Sequence, residues 1–201
     1  MEPSLADPSS KIQQALQAIR AVVFPVDGVL NGPRITRDSK GGEIVSISNR
    51  DASALKEALR QGLQVAVLSD RDAEVFRPLL ESLGITALYF GASSLLAAYE
   101  SFLQDSGLDD DACTYIGDDI ADVAVLQKAG FPVTPIDGAD YLRSRVGYIS
   151  AFEGEGMHQG GSRDGAAPAG EVAVFRKFRR VTRLYGSRFR TFISRSHPPC
   201  C

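Results

Sequence analysis

Short apolar runs recur along this chain, and each is followed by an amphipathic stretch or a tight polar turn. Residues 22–26, 64–68, 87–90, 112–116, 130–133 and 146–149 are strand-sized and rich in Val, Ile, Leu, Ala and Phe. Between them, Leu55, Ala58 and Leu59 have helical spacing and run into Gly62. Val75, Phe76, Leu79, Leu80 and Leu83 run into Gly84 in the same way, and Leu95, Leu96, Tyr99, Phe102 and Leu103 form another helical face. Parallel strands cannot be joined by a tight hairpin and need a crossover, usually a helix, so this alternation predicts parallel βαβ units. The expected architecture is a doubly wound α/β domain with a mostly parallel sheet. Ligands of such sheets bind at the carboxyl ends of the strands.

The remaining segments complete the map. A lead-in helix is expected over 11–19, with Ser9 or Ser10 as its cap, inside an N-terminal segment of residues 1–20. The core spans 21–152. Within it, residues 34–36 and 43–48 flank Asp38-Ser39-Lys40-Gly41-Gly42 and read as a β-hairpin, 34–48, with a glycine turn. A helix is expected from Asp118-Asp119 through Lys128 and another near 138–143. Residues 153–170 are Gly-rich and aperiodic, hence a loop, and His158 within it reads as a solvated loop histidine. At 201 residues and 44% hydrophobic, the chain can bury one sizeable core.

Charge and cysteines narrow the class. From Glu171 onward there are eight basic residues and one acidic, of 22 and 25 in all. That leaves 14 basic against 24 acidic residues before it, a net of −10 beside a tail of +7. The tail, 171–201, offers contacts to nucleic acid, to a membrane surface or to a neighbour's acidic body. A poorly ordered, solvated tail is the favoured reading. No apolar stretch has the length of a membrane span or a signal peptide. Cys113 lies in an apolar run, and Cys200 and Cys201 are adjacent, so no structural disulfide is expected and a reducing cytoplasm is implied.

Three of the strand ends carry polar groups. They are Asp27-Gly28, Ser69-Asp70-Arg71, and Gly117-Asp118-Asp119 with Asp122. Carboxylates suit a hard divalent cation, and a hydroxyl with nearby N–H groups suits a phosphate. Either string alone also reads as ordinary helix capping. Their order at successive strand ends of one sheet is what points to a single pocket.

These pieces resemble phosphatases of the haloacid dehalogenase (HAD) superfamily, in the subfamily that acts on 3-deoxy-D-manno-octulosonate 8-phosphate. The resemblance covers roughly residues 11–170. It rests on Val26-Asp27-Gly28-Val29-Leu30-Asn31-Gly32, Asn49-Arg50-Asp51, Leu68-Ser69-Asp70-Arg71 and Tyr115-Ile116-Gly117-Asp118-Asp119-Ile120-Ala121-Asp122, with Gly147-Tyr148-Ile149 and Gly160-Gly161 later. It implies a HAD-like, Rossmannoid fold in which the small hairpin stands in place of a large cap. It further implies that Asp27 is the general acid/base with its carbonyl on Mg²⁺, and that Ser69 and Asp70 lie at the phosphate. Asp118 becomes a metal ligand, Asp122 supports the metal shell, and Arg50 and Asp51 sit on the substrate side. An acidic sugar phosphate is the implied substrate, and a homotetramer built through the hairpin is the implied assembly.

Two positions depart from that pattern. Pro25 stands where the family has its nucleophilic aspartate, which is also a Mg²⁺ ligand; proline has neither a side-chain oxygen nor an N–H. Leu95 stands where the family has the lysine that neutralises nucleophile and phosphate. The expectation is a pseudophosphatase with weakened Mg²⁺ binding. The alternative is a weak Mg²⁺-dependent phosphatase acting on an acidic sugar phosphate.

Overall fold

A computed structural model describes residues 15–31 and 35–150. Its sheet contains β1 (Ala21–Pro25), β2 (Gln64–Leu68), β3 (Ala87–Tyr89), β4 (Cys113–Ile116), β5 (Phe131–Thr134) and β6 (Tyr148–Ile149). The spatial order is β3-β2-β1-β4-β5-β6, and every pairing is parallel. The chain winds outward from β1 to β3, then crosses back to β4 and winds the other way. The strand order therefore reverses between β1 and β4, where a crevice opens at the carboxyl ends.

Alternate residues of the central strands supply two cores. Val22, Phe24, Val65 and Val67 face one side with Leu55, Phe76 and Leu80. Ala21, Val23, Ala66 and Leu68 face the other with Tyr99, Phe102, Tyr115 and Leu126. Helices α1 (Asn49–Arg60) and α2 (Arg77–Ser82) cover the first face. Helices α3 (Leu95–Ser106) and α4 (Val123–Leu126) cover the second. Burial on both faces explains why the strands read as unbroken apolar runs rather than alternating ones.

Local chemistry fixes the helix ends. In α1 the Ser48 hydroxyl accepts from the Asp51 N–H at 3.1 Å, while Ala54, Leu55 and Ala58 form the inward stripe. In α3 Ser94 caps Ala97 in the same way. Leu95, Ala98, Tyr99 and Phe102 turn inward, and Gly107 closes the helix in a left-handed conformation (φ 68°).

Some expectations shift. The helix expected from Asp118 to Lys128 is a 3₁₀ turn (Ile120–Asp122) followed by the short α4. Asp119 and Asp122 form a capping box at the start of this 3₁₀ turn. The helix near 138–143 is likewise a single 3₁₀ turn (Asp140–Leu142). Among the described residues of the hairpin, pairing is limited to a bridge between Arg37 and Glu43 with flanking main-chain bonds. Asp38 Oδ1 holds its turn by accepting from Lys40 and Gly42 N–H groups. An isolated two-stranded ribbon is only marginally stable, so longer strands do not form. Residues 15–18 are helical, as expected for the lead-in helix. The Gly-rich loop, the basic tail, Cys200 and Cys201 lie outside the described residues. Among the described residues, no helix is long and apolar enough to cross a membrane.

Cys113 is fully buried in β4. Burial pushes its thiol from 9.0 up to about 11, because a thiolate there would lose its hydration. As pH rises the unfolded chain gives up this proton first, so the folded state holds more protons and stability falls between about pH 9 and 11. This group should remove on the order of 2 kcal/mol across that window in denaturation curves. A Cys113→Ala variant should lose that share of the slope. An identical slope in the variant would overturn the assignment.

Candidate functional site

The crevice at the strand ends holds a cavity of about 240 Å³. Pro25, Asp27, Ser69, Asp70, Leu95, Asp118 and Asp122 all contribute to its lining. The three polar strand ends seen in the sequence thus converge, and both departures, Pro25 and Leu95, face the same space. Pro25 closes β1 opposite Leu68, and Val26 N–H continues that ladder to the Leu68 carbonyl at 3.0 Å. By the alternation of a parallel strand, an N–H at position 25 would point toward β4. The β1–β4 pairing ends at Val23 and Tyr115, where proline offers no N–H to extend it.

Asp118 and Asp122 sit in the loop after β4. Gly28 has φ 79°, and any Cβ there would overlap the Asp118 carboxylate, so glycine is what lets this carboxylate lie across the turn after β1. Asp122 is buried and fully engaged. Tyr115 donates its hydroxyl to Oδ1 at 2.6 Å, and the Asp118 and Asp119 N–H groups donate to Oδ2 at 2.9 and 3.1 Å. It holds the Gly117–Asp119 main chain in shape, a structural support for the loop that presents Asp118. Burial raises the Asp118 carboxyl above its ordinary range, with the neighbouring Asp122 and Asp119 charges adding to the effect. Burial also raises Asp122, against the pull of the hydrogen bonds it accepts.

Ser69 is buried at the end of β2, and its hydroxyl accepts from the Arg71 N–H at 3.2 Å. Asp70 is exposed at the mouth. Asp27 is held by Arg71, whose Nε and Nη2 donate to its two oxygens at 2.6 and 2.8 Å. Asp51 does not reach the cavity lining. It is buried in the first turn of α1, where the Ser48 hydroxyl donates to it at 2.8 Å. Arg50 is the second residue of α1, and its side chain lies outside the described residues. Sequence reasoning placed Gly28 and Arg71 at the converging strand ends and Tyr115 in a matched motif, but gave none of the three a role in the site. The signal for Arg71 was present, since it is the one basic residue in the three strand-end segments.

No family model matches this chain. Individual proteins do. Over 146 residues it is 31% identical to the 3-deoxy-D-manno-octulosonate 8-phosphate phosphatase KdsC of Escherichia coli K12, spanning 73% of this chain and 78% of that one. The KdsC of Haemophilus influenzae is 30% identical over 143 residues, 71% of this chain and 79% of that one. The chain belongs to the KdsC phosphatase family. Solved structures agree with the fold. The cobalt-bound deoxy-D-mannose-octulosonate 8-phosphate phosphatase of H. influenzae matches with a TM-score of 0.71 at 26% identity, over 86% of this chain and 92% of that one. The Moraxella catarrhalis phosphatase, in complex with magnesium, phosphate and KDO, matches with a TM-score of 0.74 at 23% identity, over 94% and 99%.

KdsC-family structures thus hold divalent cations, and the residues present here fit one in part. A half-buried, crowded carboxylate such as Asp118 is chemically suited to accept a cation, and among the described residues no lysine or arginine lines the cavity. Among the described residues, no three His, Cys, Asp or Glu side chains are gathered as a metal-binding group. Asp27 and Asp122 have their oxygens engaged by the protein, and Pro25 offers none. Asp70, Asp118 and Asp119 are the other carboxylates of the lining that could be offered to Mg²⁺, which tolerates few protein ligands when water fills the rest.

Two substitutions test this construction by denaturant unfolding. Tyr115→Phe leaves Asp122 Oδ1 without its donor and should cost about 1–3 kcal/mol. Gly28→Ala should cost at least as much, because its backbone conformation alone costs about 1–3 kcal/mol for a residue with a Cβ. Near wild-type stability in both would mean that the Asp118 loop is not held as described.

Proposed function

We propose that this chain is a KdsC-family pseudophosphatase, a sugar-phosphate phosphatase scaffold that no longer carries out the covalent step. The observation that carries this reading is the pairing of Pro25 with Leu95 in the lining of one cavity. A family phosphatase needs a carboxylate to attack phosphorus at the first position and an ammonium to neutralise charge at the second. Both are replaced by side chains without a polar atom. Removing a nucleophile costs on the order of 10⁶ in rate, about 8 kcal/mol of barrier. Loss of a charge-stabilising donor commonly costs about 10²–10³. The two are not additive, yet either suffices to suppress ordinary turnover.

Direct attack by water is the remaining route, with Asp27 as base. Both Asp27 oxygens are already occupied by Arg71, which counts against that role. Mg²⁺, when held by Asp118 and the Asp27 carbonyl, would neutralise charge on a bound phosphate. Ser69 would hydrogen-bond a phosphate oxygen, and the exposed Asp70 would border the mouth. The acidic lining makes phosphate binding dependent on that cation.

A second reading, a weak Mg²⁺-dependent phosphatase, is favoured by a specific observation. Asp27, Ser69 and Asp118 still line one cavity, as hydrolysis of an acidic sugar phosphate would require. The family points to an eight-carbon keto-sugar acid phosphate. For assembly, the hairpin carries Ile35 and Ile44, 51% and 50% exposed, and this supports its role as a homo-oligomer surface.

Phosphate release from an aryl phosphate and from 3-deoxy-D-manno-octulosonate 8-phosphate separates the readings. The expected result is no Mg²⁺-dependent turnover by the wild-type chain. Turnover abolished by Asp118→Asn would establish the second reading instead. The double reversion Pro25→Asp, Leu95→Lys should restore measurable hydrolysis if the rest of the cavity is intact.

A further inference from the structure

Arg71 is bound on every side. Its Nε and Nη2 donate to the two oxygens of Asp27 at 2.6 and 2.8 Å. Nη2 and Nη1 also donate to the two oxygens of Glu43 at 2.9 and 3.2 Å, and Nη1 donates to the Asp72 carbonyl at 3.2 Å. Each guanidinium N–H therefore has an acceptor. The group lies over the Phe76 ring, 5.9 Å from its centroid. The two carboxylates come from different parts of the chain. Asp27 lines the cavity after β1, and Glu43 belongs to the hairpin, where it bridges Arg37 through the main chain.

The Arg71, Asp27 and Glu43 side chains are 26%, 40% and 10% exposed, so the cluster is partly shielded from water. Two carboxylates sharing one guanidinium carry a net negative charge. Neither could stay so near the other without it. The hairpin has little pairing of its own, and its turn and bridge hydrogen bonds are local. Val45 and Ile47 pack against the core, and among the described residues Glu43 is the hairpin's charged attachment to it.

We propose that Arg71 is a latch that fastens the hairpin, residues 35–47, to the edge of the cavity, so that the charge at Asp27 sets how firmly the hairpin is held. Bidentate geometry makes arginine the suitable residue, since an ammonium has no planar fork with which to engage two carboxylates at once. Without the guanidinium, Asp27 and Glu43 face each other as like charges and the hairpin is pushed away. The inference is independent of whether the cavity turns over any substrate.

Hydrogen exchange of the full chain, read on peptides covering residues 35–47, tests it. Arg71→Met should speed hairpin exchange about tenfold or more, the scale of losing charge-assisted hydrogen bonds. Exchange in β2 serves as the control for intact folding and should be unchanged. In the Arg71→Met background, adding Glu43→Gln or Asp27→Asn should slow hairpin exchange back toward the wild-type rate. Rescue from Asp27, a residue of the cavity, is the signature of the latch, and added salt should mimic it by screening. Wild-type exchange in Arg71→Met, or no rescue by either second change, would overturn the proposal. If Arg71→Met loses protection in β2 as well, Arg71→Lys provides the test. It should loosen the hairpin without unfolding the sheet, and a wild-type rate in that variant would equally defeat the latch.

Discussion

The parallel pairing of β1 with both β2 and β4 is the constraint on which the rest depends. A strand hydrogen-bonded on both edges and buried on both faces has no place for a polar side chain except at its end. The same pairing brings three strand ends to one rim and leaves a crevice where the winding reverses. Asp27, Ser69 and Asp118 meet there because each is the first place in its segment where the sheet can accommodate polarity. The helices contribute by covering the two faces, which keeps the sheet dry and directs all polar contact to the rim.

Around the rim, the hydrogen bonds fall into two groups with different tasks. Asp122 and Tyr115 spend their polar atoms inside the protein, shaping the loop that carries Asp118. Asp27 and Glu43 spend theirs on Arg71, between the rim and the hairpin. What remains open to a ligand is a smaller set than a count of acidic residues suggests. The lining combines acidic side chains with the apolar Pro25 and Leu95.

Much of this was legible in the sequence. Strands were recognisable because two-sided burial demands continuous apolar runs, and α1 and α3 because apolar residues recur at helical spacing, with Gly62 as a stop after the first. The convergence of the three polar strand ends followed from the topology. The short helices were not legible: Asp119 and Asp122 form the capping box that marks a helix start, yet the turn it opens is 3₁₀ and α4 beyond it is short. Asp51, read beside its neighbour as substrate-facing, is occupied in capping α1 with Ser48. The Arg71 cluster was hidden for another reason: Asp27, Glu43 and Arg71 are far apart in the chain, and no local pattern links them. Only the folded sheet brings a hairpin glutamate within reach of the first strand's turn.

Position 25 also decides how the first strand leaves the sheet. Proline has no N–H to carry the β1–β4 ladder past Val23 and Tyr115, so that seam closes before the rim. The β1–β2 ladder runs on to Pro25 and Leu68, and Val26 N–H extends it to the Leu68 carbonyl. Where the first strand meets the cavity it is therefore stitched to one neighbour rather than two, and the side at which the seam opens is the side from which Asp118 approaches.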